Sequence, residues 1–275
     1  SASIGIFDRT ADWGSLTFPP KQGNYKASGT ASYSDGIYSI QGNGDDIWGD
    51  NDEGFFLYTE RSGSQSITGK VIWEDPNNQE WSKIGLMVRE KGDDPRSRHY
   101  WCFLRGRAFG DRIEAQWRGE YGGLSDNAEI HPPEDSTSYV PADSDAAIWF
   151  RVTRIAEVGL VISEWSYDGN VWTHGNVNEM AFPDTIAWGI AICNHNDNLE
   201  TAKATVEGVK IDKPDIVIGK RSMEETHYFD TTSFYREGDE FSVTIDLTCI
   251  DDHSMSVDIQ ETVPLGWSVS EIGQG

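Results

Sequence analysis

The 275-residue chain reads as an all-β protein. Three observations predict this. Several segments alternate apolar and polar residues with period two, as a half-buried strand must. Turn signals separate them, at Asp35-Gly36, Gly110-Asp111 and Asp168-Gly169. No run of ten residues carries a convincing helical pattern. Many strands at short spacing without helical crossovers predict an antiparallel two-sheet sandwich or a barrel.

The elements follow in order. Residues 66–73 place Ile67, Val71 and Trp73 on one face and Ser66, Thr68 and Lys70 on the other. Residues 112–118 set Ile113, Ala115 and Trp117 against Arg112, Glu114, Gln116 and Arg118. Residues 83–89, 98–105, 147–153, 158–165, 186–193 and 204–211 read as further strands. The pattern breaks over 212–220, where Pro214 cannot sit in a central strand. It restarts over 239–249, with Phe241, Val243, Ile245 and Leu247 inward, and over 255–259, with Met255, Val257 and Ile259. The expected organisation is a β-sandwich over 1–212, a linker over 213–220 and a partial β domain over 221–275. The last is short, because an immunoglobulin-like fold takes about 100 residues.

Composition narrows the function. Asp and Glu number 46 against 22 Lys and Arg, a net charge of -24. Such a surface repels phosphate backbones, so nucleic acid is not an expected partner. No run of about 18 apolar residues is present, so no membrane-spanning helix is expected. No charged-then-apolar leader opens the chain, which is read as a signal peptide already removed. The three cysteines cannot all pair within one chain, and Cys102 and Cys193 lie in apolar runs as expected buried thiols.

Four segments occur in order: GNGDDIWGDNDE over 42–53, WSKIGLMVRE over 81–90, EWSYDGNVW over 164–172 and GIAICNH over 189–195. Together they resemble the concanavalin A-like lectin/glucanase superfamily, in its DUF1349-like, laminin-G-like branch, over roughly residues 8–212. Ser82 and Cys193-Asn194 depart from the branch's usual residues. The resemblance implies an extracellular two-sheet jelly roll, often one module of a larger surface protein, to which sugar binding is commonly assigned. The stretch from Arg221 to Trp267 resembles the opening of an immunoglobulin-like surface-protein repeat.

Three chemistries are compatible with such a fold. Retaining glycosidases hold two carboxyl groups about 5–5.5 Å apart. Glucanase members of the superfamily carry a Glu-x-Asp-x-Glu run on one strand face, and this chain has none, so no enzyme is expected. For sugar binding, an exposed ring must combine with polar groups that fix orientation. If Ile148, Phe150 and Val152 point inward, Trp149 and Arg151 point out. If Val158, Leu160 and Ile162 also point inward, Trp165 joins them. The expected ligand face is therefore Trp149, Trp165, Arg112, Glu114, Gln116 and Arg151, its ligand a polysaccharide or glycan. For metal binding, Asp45, Asp46, Asp50, Asp52 and Glu53 crowd nine residues with no base among them. That density suggests Ca²⁺, which takes several oxygen ligands. His195 reads as a structural hydrogen-bonding residue, and the arginines at 96, 98, 105, 107, 112 and 118 as a patch suited to an acidic polysaccharide or to the acidic face of a neighbouring subunit, or else as ordinary ion-pair partners.

The resulting expectation is a non-catalytic, cell-surface carbohydrate-binding module. The alternative is a structural or adhesive filament subunit, self-associating through its C-terminal β segment and residues 1–8 by strand addition. A glycoside hydrolase or lyase is the third reading.

Overall fold

A computed structural model describes residues 3–14, 29–74, 81–106, 113–131, 147–195, 201–214, 217–225 and 241–249. Contacts divide the chain into two compact units, Ser1–Pro214 and Asp215–Gly275.

The first unit is the expected two-sheet antiparallel sandwich. Its strands are β1 (Arg9–Trp13), β2 (Thr30–Ser34), β3 (Ile37–Gly42), β4 (Gly54–Ser62), β5 (Gln65–Trp73), β6 (Lys83–Arg89) and β7 (His99–Arg105). They continue as β8 (Ile113–Arg118), β9 (Asp126–His131), β10 (Ala147–Ile155), β11 (Leu160–Ser166), β12 (Thr173–Glu179), β13 (Thr185–Cys193) and β14 (Ala202–Asp212). Sheet one runs β1-β4-β13-β6-β7-β8-β9, and sheet two runs β12-β11-β10-β5-β14-β3-β2. The Asp35-Gly36 signal closes the β2–β3 hairpin, with φ of 53° and 85° at its two central residues. Both angles are positive, as a type I′ turn requires.

The core lies between the sheets. Sheet one contributes Leu57, Ile84, Leu86, Tyr100, Leu104, Trp188 and Ile190. Sheet two contributes Ile40, Ile67, Val71, Ile148, Phe150, Val152 and Val206. Two polar core atoms find partners across the layers: Tyr100 Oη donates to Ser163 Oγ (2.8 Å), and Trp73 Nε1 donates to the Arg105 carbonyl (2.9 Å). Cys102 and Cys193 are buried free thiols. Burial pushes both up, and with the Asp46 charge nearby it takes Cys193 to about 12.

Two expectations are corrected. Strand β11 is one residue out of the expected phase. Phe150 pairs with Trp165 across β10–β11, and directly opposed residues share a face, so Trp165 joins Phe150 in the core. Val161, Ser163 and Trp165 are the buried set, while Leu160, Ile162 and Glu164 are half-buried. The sequence misleads here because both parities of this strand carry apolar residues, and the buried Ser163 is satisfied by Tyr100 on the other sheet and by the Asn176 backbone on β12. Likewise, the described part of residues 1–8 packs on its own sandwich. Phe7 is fully buried, Ile4 lies against the core, and the Asp8 N–H donates to the Tyr58 carbonyl (3.2 Å). Strands β1 to β4, β9 and β12 lack the clean alternation that would have announced them.

The second unit contains β15 (Val217–Glu225) paired antiparallel with β16 (Phe241–Cys249). Residues 255–259, expected as a strand, lie outside the described residues.

Candidate functional site

The outer face of sheet one is where chemistry concentrates. Alternation sends Ile84, Leu86 and Val88 of β6 into the core, so Lys83, Met87 and Arg89 point out. The same parity turns out His99, Trp101, Phe103 and Arg105 on β7, and Glu114, Gln116 and Arg118 on β8. A polar face like this would ordinarily be wet. Here it is covered: Lys83, Arg89, His99, Arg105, Glu114, Gln116 and Arg118 are all buried. A second apolar cluster, including Trp13, Phe56, Met87, Trp101, Phe103 and Ile47, fills the space between them.

A loop over residues 43–53 straps this face. It closes on itself where the Glu53 N–H donates to the Asp46 carbonyl (2.8 Å). Gly44 makes that closure feasible: its φ is 133°, and a Cβ there would lie 2.5 Å from the Glu53 backbone. The strap supplies counter-charges to the sheet. At one end, Asp52 accepts from Arg89 Nη1 (2.6 Å), Arg118 Nη2 (2.5 Å) and Arg118 Nη1 (3.0 Å), with His99 Nδ1 at 3.5 Å. Arg118 also donates to the carbonyls of Gly49 (2.9 Å), Pro95 (3.0 Å), Ser97 (3.2 Å) and Gly123 (3.0 Å), so one guanidinium ties the strap to two neighbouring loops. Burial pushes the Asp52 carboxyl up, but Arg89, His99 and Arg118 together outweigh it and hold it at about 2. Burial drives His99 well below the ordinary histidine range, helped by Arg118, Arg89 and Lys83 against the pull of Asp52. His99 therefore takes up a proton less readily than a free imidazole.

The other end of the strap is more open. Lys83 Nζ donates to Asp46 Oδ1 (2.7 Å) and Gln116 Oε1 (3.2 Å), while Gln116 Nε2 donates to the Ile47 carbonyl (2.7 Å). His195 Nε2 lies 3.7 Å from Asp46 Oδ2. Its φ of 48° is left-handed, a strained setting of the kind that gathers at functional sites. Arg105 Nη1 pairs with Glu114 Oε1 (2.7 Å), whose other oxygen accepts from Asn127 Nδ2 (3.2 Å). Two indoles stand over these cations. The Arg105 guanidinium lies 3.7 Å from the Trp81 ring centre, and Lys83 Nζ lies 5.5 Å from that of Trp48. Trp48 is 38% exposed and Trp81 43%. Each ring therefore turns one face to a fixed charge and retains surface open to water.

The expected site residues divide between opposite outer faces. Glu114 and Gln116 lie on this face of sheet one. Trp149 and Arg151 lie half-buried on the outer face of sheet two, Trp165 is in the core, and Arg112 lies outside the described residues. Arg151 is held by Glu164 through two hydrogen bonds (2.6 and 2.8 Å) and stacks on Trp172 at 4.2 Å. The expected calcium ligands also disperse. Asp46 pairs with Lys83, Asp52 with its arginines, and Glu53 accepts from the Asp45 N–H (3.4 Å), while Asp50 is exposed. Among the described residues no group of three or more His, Cys, Asp or Glu is placed to hold a metal ion. Two of the crowded acids, Asp46 and Asp52, are met by cations from the sheet that are remote in sequence.

Trp48, Trp81, Lys83, Arg105 and His195 were not expected as a site. The available signal was that Asp46, Trp48, Trp81, Lys83 and His195 all belong to the quoted motifs. Segments more than a hundred residues apart converge on one rim.

These features define a two-sheet antiparallel sandwich carrying a strapped polar face with an aromatic rim. The chain matches no family model and no curated protein sequence. Among solved structures it is similar to a functionally unknown protein from Saccharomyces cerevisiae, with TM-score 0.52 and 16% identity over 71% of this chain and 93% of that one. It is less similar to a GH43 protein from Bacillus licheniformis (TM-score 0.45, 12% identity, 65% of this chain and 33% of that one). A lectin from Bauhinia forficata, in complex with GalNAc, scores 0.41 at 8% identity, over 67% of this chain and 90% of that one. The yeast likeness is one of fold, and fold alone does not assign function.

Proposed function

We propose that the chain is a non-catalytic, extracellular carbohydrate-binding module whose glycan site is the Trp48–Trp81 rim. The observation that carries this reading is the pair of cation-backed, half-open indoles beside Asp46, His195, Arg105 and Glu114. Sugars present flat C–H faces and hydroxyl edges, and stacking rings with adjacent donors and acceptors match both. The non-catalytic part rests on the carboxylates. Asp46, Asp52 and Glu114 are each committed to a cation, and Asp52 is sealed from solvent. None stands as a free acid and base pair across an open cleft.

The test is affinity electrophoresis through gels containing a panel of neutral polysaccharides. Retardation should be lost in Trp81→Ala and Trp48→Ala and retained in Trp149→Ala. The reverse pattern would return the site to sheet two.

A further inference from the structure

We infer, resting on the carbohydrate-binding reading, that the ligand is a neutral polysaccharide touching the protein at two points, the second being a groove at the far end of β6. This groove, about 710 Å³, is bordered by Glu90, Lys91, Arg98, Glu120 and Tyr121. Its volume falls in the range of small-molecule sites. Its platform repeats the construction of the first. Tyr121 is 57% exposed, and the Arg96 guanidinium backs its ring at 5.7 Å. The arginine is itself positioned: its N–H donates to Asp94 Oδ1 (2.9 Å), and its carbonyl accepts from the Gly122 N–H (2.8 Å). Gly122 has a φ of 64°, and a Cβ there would lie 2.6 Å from Arg96 Nη2, so only glycine leaves the guanidinium its place. Arg98 Nε donates to Glu90 Oε2 (2.8 Å) along the groove wall.

Trp48, Trp81 and Tyr121 are exposed rings each backed by a cation. All three belong to sheet one and its loops: Trp81 lies just before Lys83 at one end of β6, Tyr121 borders Glu90 past the other end, and Trp48 lies between them, next to Gly49, whose carbonyl shares Arg118 Nε with that of Gly123. The six-residue rise from Lys83 to Arg89 separates the two ends by about 20 Å. A disaccharide cannot span that distance, but an extended chain can. Holding one end raises the effective concentration of the other, so binding to a polymer exceeds binding to a fragment without new kinds of contact. Charge selects a neutral polymer. Arg105, Lys83 and Arg98 are internally paired, and the net charge of -24 repels a polyanion.

The experiment uses the full chain with soluble xylan, mannan and β-1,3-glucan, each beside its own disaccharide. Polymer affinity is read by gel retardation and disaccharide affinity by calorimetry. Tyr121→Ala is expected to weaken polymer binding about 10²-fold while leaving disaccharide binding at the tryptophan rim unchanged. Trp81→Ala is expected to weaken both. Polymer binding lost in Trp81→Ala but unchanged in Tyr121→Ala overturns the second contact and leaves the first reading standing. Loss in Tyr121→Ala alone overturns both, as does a wild-type protein that none of the polymers retards. Urea denaturation of both variants, with midpoints matching wild type, separates lost contact from lost fold.

Discussion

The two outer faces of the sandwich are built from the same alternating pattern and end in opposite states. On sheet two, Arg151 and Glu164 meet across neighbouring strands, with side chains 31% and 23% exposed. Water screens them, and the pair stands without help from a distant segment. On sheet one, Arg89 and Arg118 are fully buried, and their charge is met by Asp52, which lies 37 and 66 residues away along the chain. A polar strand face is thus only half a specification. Whether it is wet depends on what the loops bring over it.

That contrast can be broken or sharpened by experiment. The largest effect is expected from Asp52→Ala, which leaves two buried guanidinium groups uncompensated and should lower stability by about 3–5 kcal/mol in urea denaturation. A loss below about 1 kcal/mol would mean that the strap does not seal the face.

Acid is the next lever. The Asp52 carboxyl is held below its unfolded value, so its contribution is complete above the unfolded pKa and disappears as pH falls toward 2. The shift from 3.8 to about 2 corresponds to about 2 kcal/mol. His99 is also depressed, so the unfolded chain takes up its proton first, and stability should begin to fall below about pH 6.5. Thermal melts from pH 8 to 3 should show both decrements, and His99→Gln should remove the upper one.

A smaller effect is expected on sheet two from Gly208→Ala. Gly208 has a φ of 59°, and a Cβ there would lie 2.8 Å from the Trp149 ring. The left-handed conformation alone should cost about 1–2 kcal/mol. Smallest of all, Arg151→Ala should change stability by about 0–1 kcal/mol, and less at high salt. If it matched Asp52→Ala, the distinction between the faces would collapse.

How far the sequence discloses this molecule follows from the same contrast. The sandwich is legible wherever alternation is clean, as in β5 and β8, because period two has one physical meaning. It is illegible in β11, where Leu160 and Ile162 compete with Val161 and Trp165 for the core, and only pairing with Phe150 decides. Of the site, Glu114 and Gln116 are legible as outward residues on β8. The role of Asp52 is not, because five acids within nine residues look like a cation trap until Arg89 and Arg118 are known to lie beneath Asp52. Trp48 and Trp81 sit in visible motifs, yet nothing local says that they stand over Lys83 and Arg105.

The many bonds of Arg118 also have a kinetic consequence. Its carbonyl partners at Gly49, Pro95, Ser97 and Gly123 share no common site until β6, β7 and β8 have paired. The expected order is that the strap docks late, after these strands have paired. Loosening it should hasten unfolding and leave the refolding limb of a chevron unmoved.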